Sequence, residues 1–138
     1  MIGLDTNILA RYYIDDANDT EANKQHLVSK NLIESGKELM VCKTVLLEFE
    51  WVMRGFYEFK SSDVQQVFQH LLSLPNVSIE DRARVEAAIE TLEKGLDFAD
   101  ALHQISYYQC DTIASFDDKK FARRANKLAL MPRVIVPK

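Results

Sequence analysis

The chain has 138 residues, 47% of them hydrophobic and 28% charged, with a formal net charge of -4. Such a length and composition are typical of one globular domain, so we expect a single domain over residues 1–138. The acidic balance argues against a protein that coats nucleic acid through a general positive charge. It leaves room for a nucleic-acid enzyme, because metal ions at an acidic site supply the missing positive charge.

The sequence also carries information about location. No apolar stretch approaches the roughly 18 residues that a membrane span needs, and no signal peptide precedes the first strand candidate. Cys42 and Cys110 lie in apolar stretches and form no CxxC motif. We therefore expect a cytoplasmic protein that contacts no membrane and keeps both cysteines as reduced thiols in its core.

Short apolar segments alternate with helical patterns along the chain. In chain order, the strand candidates are residues 1–4, 39–42, 77–79, 112–114 and 134–136. One helix is expected after Asp5, and further helical patterns cover residues 19–35, 44–56, 62–74, 81–93, 97–109 and 117–128. This alternation predicts an α/β fold with a mainly parallel central sheet of about four to five short strands covered by helices.

The polar loop 15–19 separates the first two helices. Its acidic residues invite comparison with a calcium loop, but the glycine and the distal glutamate of such a loop are missing. The loop is therefore interpreted as a turn, with Asn18 or Asp19 as the cap of the next helix.

Asp5 follows the apolar run 1–4 and precedes Thr6 and Asn7. A carboxylate at the C-terminal end of a buried strand, directly before a helix, lies where open α/β sheets build ligand sites. The same position also suits an N-cap for the following helix. Both interpretations of Asp5 stay open at this point.

Glu48 lies in a helical pattern with an apolar stripe. The members of the stripe recur at helical spacing and are Val45, Phe49, Val52, Met53 and Phe56. Glu48 falls near the edge of this stripe, whereas Glu50 and Arg54 are expected to point outward. A half-buried carboxylate needs a partner, which is either a basic side chain or a metal ion.

Two further acidic pairs occur at helix starts. Asp97 and Asp100 share one helix face after Gly95, and we expect Asp97 to be the cap and Asp100 the ligand. Asp117 and Asp118 follow the strand candidate 112–114, and one of the two is expected to be a cap. We favour Asp117 for chemistry, because its distance from the strand end resembles that of Asp5.

Together these carboxylates predict a metal site. Asp5 and Asp117 are expected to meet at the carboxyl edge of the sheet, with Glu48 and Asp100 supplied by neighbouring helices. Four carboxylates repel each other unless a cation lies among them, and hard oxygen ligands without a Cys or His cluster suit Mg²⁺ or Mn²⁺. Such a site activates water and stabilises charge on a phosphoryl oxygen.

Several polar and basic side chains accompany these acids. Thr6, Asn7 and Ser115 are candidates for groups that support the ligands or contact phosphate. A basic run, Lys119, Lys120, Arg123, Arg124 and Lys127, follows Asp117 and is interpreted as either a solvated face or an RNA contact. Arg11 has three possible roles: a contact with RNA, a contact with a partner protein, or an ion pair with a structural acid.

Four segments of the chain resemble a known family. They are Ile2–Leu9, Thr44–Glu48, Asp97–His103 and Ser115–Asp117, and they occur in the order found in PIN-domain proteins of the VapC type, the toxin ribonucleases of toxin–antitoxin pairs. The resemblance implies a three-layer PIN-like fold and a metal-dependent endoribonuclease that uses a metal-activated water. It also implies a homodimer inhibited by a small antitoxin whose tail covers the acidic pocket.

The resemblance assigns the acidic quartet to Asp5, Glu48, Asp100 and Asp117. Its other polar positions correspond to Thr6, Asn7 and Ser115, whereas His103 recurs in the family phrase without an assigned role. Two other functions are weighed against the ribonuclease. A non-catalytic RNA- or protein-binding module would use the acids only as caps, and an aspartyl-phosphate phosphohydrolase would need a second aspartate where this chain has Asn7.

Overall fold

The computed structural model describes residues 1–16 and 18–138, so Ala17 of the predicted polar loop lies outside the described residues. The backbone is grouped into two compact units, Met1–Asp81 and Arg82–Lys138. Each unit contains parallel strands and helices, and each is described by itself.

The first unit contains a three-stranded parallel sheet. Its strands are β1 (Ile2–Gly3), β2 (Leu39–Val41) and β3 (Val77–Ile79), hydrogen-bonded in the order β1-β2-β3. In the register of this sheet, Gly3 is paired with Met40, and Met40 with Ser78. Because all three strands are parallel, their carboxyl ends lie at one edge.

Four helices accompany this sheet. They are α1 (Thr6–Tyr13), α2 (Thr20–Ile33), α3 (Lys43–Trp51) and α4 (Ser61–Ser73), and α3 continues as a π-helical turn over Val52–Phe56. Asp19 caps α2 by accepting from the backbone N–H groups of Glu21 and Ala22, at 3.0 and 3.1 Å. The core side chains are apolar, and those without exposed surface are Leu9, Leu39, Val41, Phe49 and Met53.

The second unit contains a two-stranded parallel sheet and three helices. Its elements in chain order are α5 (Arg82–Glu90), a 3₁₀ turn (Leu92–Lys94), α6 (Phe98–Ser106), β4 (Thr112–Ala114), a π-helical turn (Asp118–Ala122), α7 (Arg123–Lys127) and β5 (Arg133–Ile135). Gly95 closes the 3₁₀ turn at φ 86°, a left-handed conformation that glycine adopts without a steric penalty. Strands β4 and β5 are paired through Ile113 and Val134.

Two side-chain amides, one buried and one partly buried, hold the C-terminal strand. Gln104 of α6 donates from Nε2 to the carbonyls of Leu130 and Pro132, at 3.2 and 2.8 Å. Asn126 of α7 donates to the carbonyl of Val134 at 2.8 Å and accepts from its N–H at 3.0 Å. These bonds fix β5 to the helices of its own unit.

The α/β fold class with parallel strands is confirmed, and all five predicted strands are present. Their hydrogen bonds form two small sheets, β1-β2-β3 and β4-β5, instead of one continuous sheet. Two helices end earlier than predicted. The helix expected over 81–93 ends at Glu90, and the one expected over 97–109 ends at Ser106.

Three local expectations were wrong. Glu50 is buried, with 4% of its surface exposed, because it receives Arg54 in an ion pair at 2.8 Å. Phe56 is exposed and does not belong to the buried stripe. Both cysteines are free as expected, but Cys110 is exposed and only Cys42 is partly covered.

Candidate acidic site

Asp5 lies between β1 and α1 as the N-cap of α1. Its backbone is extended, at φ -85° and ψ 165°, and its Oδ1 accepts from the N–H of Thr6 at 2.8 Å. The Asp5 side chain itself is exposed. The cap interpretation is therefore confirmed, and an exposed second oxygen remains compatible with a ligand.

The two polar residues after Asp5 differ in burial. Thr6 is buried, and its Oγ1 has no hydrogen-bond partner within the described part of the chain. Asn7 is exposed. A buried hydroxyl without a partner is costly in an ordinary helix start, so Thr6 is an unusual residue at this position.

Glu48 lies in α3, which packs against α1. Its side chain is exposed, and no described residue gives it a hydrogen bond or an ion pair. This contradicts the half-buried position expected from the sequence. Instead Glu50, two residues later, is buried and forms the ion pair with Arg54. The carboxylate of Glu48 is available to an external cation.

The edge of the three-stranded sheet explains how these residues are positioned. Asp5 follows β1 after Leu4, and α3 begins at Lys43 shortly after β2 ends. The N–H of Lys43 donates to a carboxylate oxygen of Glu80, at 2.8 Å, which fixes the start of α3. Asp5 and the helix that carries Glu48 therefore start from the same carboxyl edge, where open α/β sheets place ligand sites.

In the second unit, Asp100 is the acid whose ionisation is most affected by its surroundings. Partial burial raises the pKa of Asp100, and the negative charges of Asp97 and Asp117 raise it further. The charges of His103 and Lys120 act in the opposite direction. Acids from two separate segments, 97–100 and 117, are thus close enough to repel each other.

Asp97 and Asp117 have different local roles. Asp97 occupies the N-cap position of α6, as expected, but its side chain makes no capping hydrogen bond. Asp117 does cap the next turn, since its Oδ1 accepts from the N–H of Lys120 at 3.0 Å. Both carboxylates are exposed.

Ser115 and Asp118 complete this turn. The Oγ of Ser115 accepts from the N–H of Asp117, at 3.0 Å, and so sets the backbone from which Asp117 projects. Asp118 is paired with Arg123 at 3.0 Å. Asp118 therefore has its own cation, whereas the charge of Asp117 acts on Asp100.

The residues fit a hard divalent cation in their chemistry. The donors are carboxylate oxygens without an accompanying thiol or imidazole cluster, which suits Mg²⁺ or Mn²⁺. The mutual repulsion at Asp100 is the condition that a bound cation relieves. Across residues 1–16 and 18–138, however, no three His, Cys, Asp or Glu side chains form a group that could hold a metal ion as they stand.

The basic residues near these acids are mostly engaged with their own unit. Arg123 binds Asp118, and Arg124 donates to the carbonyl of Gly95 at 3.0 Å. Lys120 acts on Asp100 through its charge, a role that the sequence offered only as part of a basic run. In the first unit, Arg11 donates to Gln25 at 2.8 Å instead of to an acid.

The parallel strands with acids at their ends define an α/β protein of the class that binds ligands at the carboxyl edge of a sheet. Comparison with protein families identifies the family, since residues 2–127 match the model of the PIN domain. The chain belongs to the PIN-domain family. PIN domains are generally metal-dependent nucleases, which supports a hydrolase that acts on nucleic acid. A comparison with curated proteins found no match.

None of the helices in the described part of the chain is long and apolar enough to cross a membrane. The longest helix, α2, has 14 residues and carries the charged residues Glu21, Lys24 and Lys30.

Proposed function

We propose that the protein is a metal-dependent endoribonuclease that hydrolyses RNA phosphodiester bonds and acts as the toxin of a toxin–antitoxin pair. The observation that carries the proposal is the PIN-domain match over residues 2–127, which includes all four acids. The charge of Asp117 is one of the causes that raise the pKa of Asp100, which supports a shared cation for acids of two separate motif segments. An exposed, unpaired Glu48 and an exposed Asp5 at a sheet edge support it from the other unit.

In this proposal Asp5, Glu48, Asp100 and Asp117 hold Mg²⁺ or Mn²⁺. A bound divalent cation would supply an activated water and stabilise negative charge on the phosphoryl oxygen. The chain itself positions the ligands. The N–H of Thr6 donates to the carboxylate of Asp5 and orients it, and the N–H of Asp117 donates to Oγ of Ser115, which orients the backbone of Asp117. Asp97 stays an alternative ligand because its carboxylate is exposed and makes no capping hydrogen bond.

The residue-level test is the substitution Asp5→Asn. The amide keeps an oxygen that accepts from the N–H of Thr6, so α1 stays capped while the ligand charge is lost. We expect RNA cleavage to fall by about a hundredfold or more, as for other preorganised charge-stabilising groups. Cleavage is followed on a labelled RNA, and urea unfolding checks the fold.

Asp19→Asn is the matched control, because Asp19 caps α2 in the same way but lies outside the acidic segments. It is expected to cleave like the parent protein. Cleavage that stops with a chelator and returns with Mg²⁺ or Mn²⁺ would support the metal assignment. Cleavage by Asp5→Asn at the parental rate would rule out the site assignment.

The biological part of the proposal needs a cellular measurement. Brief expression of the protein is expected to stop growth and to produce defined RNA ends, and Asp5→Asn is expected to do neither. The proposed partners are a cognate antitoxin and a second copy of the chain. The first is tested by co-expression with the product of any small open reading frame directly upstream, and the second by light scattering. Growth arrest by Asp5→Asn equal to the parent would contradict a nuclease toxin.

A non-catalytic binding module is a second candidate, because Asp5 and Asp117 both have a structural role as helix caps. Metal titration distinguishes the two. Saturable binding of Mg²⁺ or Mn²⁺ that is lost in Glu48→Gln counts against the binding module, because Glu48 caps no helix. Absence of any metal binding favours it.

A further inference from the structure

The first unit contains a cavity that the acidic site does not use. It is an open depression of about 520 Å³ on the surface, lined by residues from α1, α2 and α4, chiefly Tyr12, Tyr13, His26, Lys30, Gln66 and His70. A volume of this size is within the range of small-molecule sites. None of these residues belongs to the four acidic segments.

One wall of the cavity is aromatic and held in place. The ring of Tyr13 lies 4.8 Å from that of Tyr12 and 5.5 Å from that of His70, edge to face in both cases. A hydrogen bond of 2.8 Å joins the Tyr13 hydroxyl to Nδ1 of His70, and Phe49 supports the Tyr13 ring from the core. Fixed aromatic surfaces of this kind are platforms on which nucleobases stack.

Besides Val67, the other side chains of the cavity are polar, and some of their hydrogen-bonding groups have no partner among the described residues. Nδ1 of His26 lies 2.8 Å from the carbonyl of Arg11, and since a carbonyl only accepts, this nitrogen carries the proton. Nε2 of His26 has no hydrogen-bond partner among the described residues. Among the described residues, the side chains of Lys30 and Gln66 have no hydrogen-bond or ion-pair partner.

The remaining polar group is Glu34, which receives the Tyr12 hydroxyl at 3.4 Å. Burial and the charge of Glu34 raise the pKa of Tyr12, so its hydroxyl stays protonated at neutral pH. Glu34 would repel a phosphate placed beside it, and its carboxylate instead suits a hydroxyl or amino donor. The cavity thus offers one cation, Lys30, and one acid, Glu34, one helical turn apart at the C-terminal end of α2.

We propose that this cavity binds one nucleotide, with its base on the wall of Tyr12, Tyr13 and His70 and its phosphate on Lys30. Gln66 and Nε2 of His26 then hydrogen-bond to the edge of the base. This inference rests on the proposed ribonuclease function in one respect: the nucleotide belongs to the RNA strand. Tyr12 is seven residues after Asp5, so α1 separates the two places by roughly 10 Å at 1.5 Å per residue. One RNA strand reaches both.

The test is direct binding, measured without catalysis. The protein is titrated with each of the four nucleoside 5′-monophosphates in the presence of EDTA, and the ring signals of His26 and His70 are followed by NMR. We expect saturable binding of at least one monophosphate, and about tenfold weaker binding in Lys30→Gln, the effect of one lost charge-assisted hydrogen bond. Gln66→Ala is also expected to weaken binding.

Two exposed residues on the helices that carry Gln66 and Lys30 provide controls. Gln69→Ala on α4 and Lys24→Gln on α2 do not alter the lining of this cavity, and both are expected to bind the monophosphate like the parent. If all four variants bind alike, or if no monophosphate shifts the His26 and His70 signals at millimolar concentration, the inference is wrong.

Cleavage kinetics then identify the source of the nucleotide. If the cavity holds part of the RNA strand, Lys30→Gln raises KM for a short RNA and leaves kcat unchanged. If monophosphate binding is lost but KM is unaffected, the cavity serves a free nucleotide, and the assignment to the RNA strand is overturned. Monophosphate binding by a protein that cleaves no RNA would remove the ribonuclease proposal and keep the nucleotide cavity, so the two failures are distinguishable.

Discussion

Glu48 and Glu50 are two positions apart in α3 and have opposite environments. The buried stripe of this helix consists of Leu46, Phe49, Glu50 and Met53, a spacing of three and four residues. Glu50 is tolerated in that stripe because Arg54, one turn later, donates two hydrogen bonds to its carboxylate. The sequence contained this i,i+4 pair, but hydrophobicity alone assigned the two glutamates to the wrong faces.

The two glutamates predict opposite mutational effects. Glu50→Gln removes the charge of a buried acceptor from Arg54, and we expect it to lower the free energy of unfolding by about 1–2 kcal/mol. Glu48→Gln changes an exposed, unpaired carboxylate and is expected to stay within about 0.5 kcal/mol of the parent. Urea unfolding followed by the fluorescence of Trp51 measures both. Equal stability of the two variants would contradict the assigned faces.

Asp100 predicts a pH dependence. Burial first, and the charges of Asp97 and Asp117 next, raise the pKa of Asp100 above that of an unfolded aspartate, about 3.9. The folded state thus holds this proton more tightly, so stability is lost as the pH rises from about 3.9 through the raised value. Above that value the ionised Asp100 remains a destabilising group.

Asp97→Asn removes one of the like charges. We expect it to lower the pKa of Asp100 and to raise the melting temperature at pH 7, with no gain at pH 3, where Asp100 is protonated in both states. The carboxyl carbon of Asp100, observed by NMR, reports the pKa, and Asp118→Asn is the control because Asp118 is paired with Arg123. A pKa of Asp100 that does not respond to Asp97→Asn would show that the two acids are not coupled.

Strands and helices were predicted well where the sequence signals are local. The bounds of β3 and β4 agree with the predicted segments, and Asp19 caps α2 as expected. The predicted helix ends were less accurate where a side chain binds the last carbonyl groups of a helix. At the end of α5, for example, Oγ1 of Thr91 donates to the carbonyl of Ala88 at 2.8 Å.

The attachment of β5 gives a prediction for an element. Asn126→Asp keeps the oxygen that accepts from the N–H of Val134 but replaces the amide that donates to its carbonyl. We expect a loss of about 1–3 kcal/mol in unfolding free energy, because a partly buried carbonyl loses its donor and faces a negative charge. Hydrogen exchange at the amides of β4 and β5 is expected to accelerate.

Asn31→Asp is the comparison for this variant, because Asn31 is exposed on α2. It is expected to leave stability within about 0.5 kcal/mol of the parent. If the two substitutions cost the same, the paired hydrogen bonds to Val134 contribute nothing to the attachment of β5.

For the whole molecule, the single domain over residues 1–138 remains a prediction. The PIN-domain match over residues 2–127 includes parts of both compact units, which supports it. A single domain of this size unfolds in one cooperative transition. We therefore expect the urea transitions of Trp51 in the first unit and of the α6 amide signals in the second unit to coincide. Two separate midpoints would indicate two domains.

The sequence by itself determined the order of strands and helices, the PIN-domain family and the acids at the strand ends. These features depend on neighbours along the chain: apolar periodicity, a polar step after a strand, and caps. Only the tertiary structure decided that Glu50 is buried with Arg54, that Asp117 acts on Asp100, and that Tyr13 and His70 form one wall of a cavity. Such features depend on contacts between side chains that are distant in sequence or on opposite faces of one helix. Hydrophobic periodicity does not determine which of these side chains come into contact.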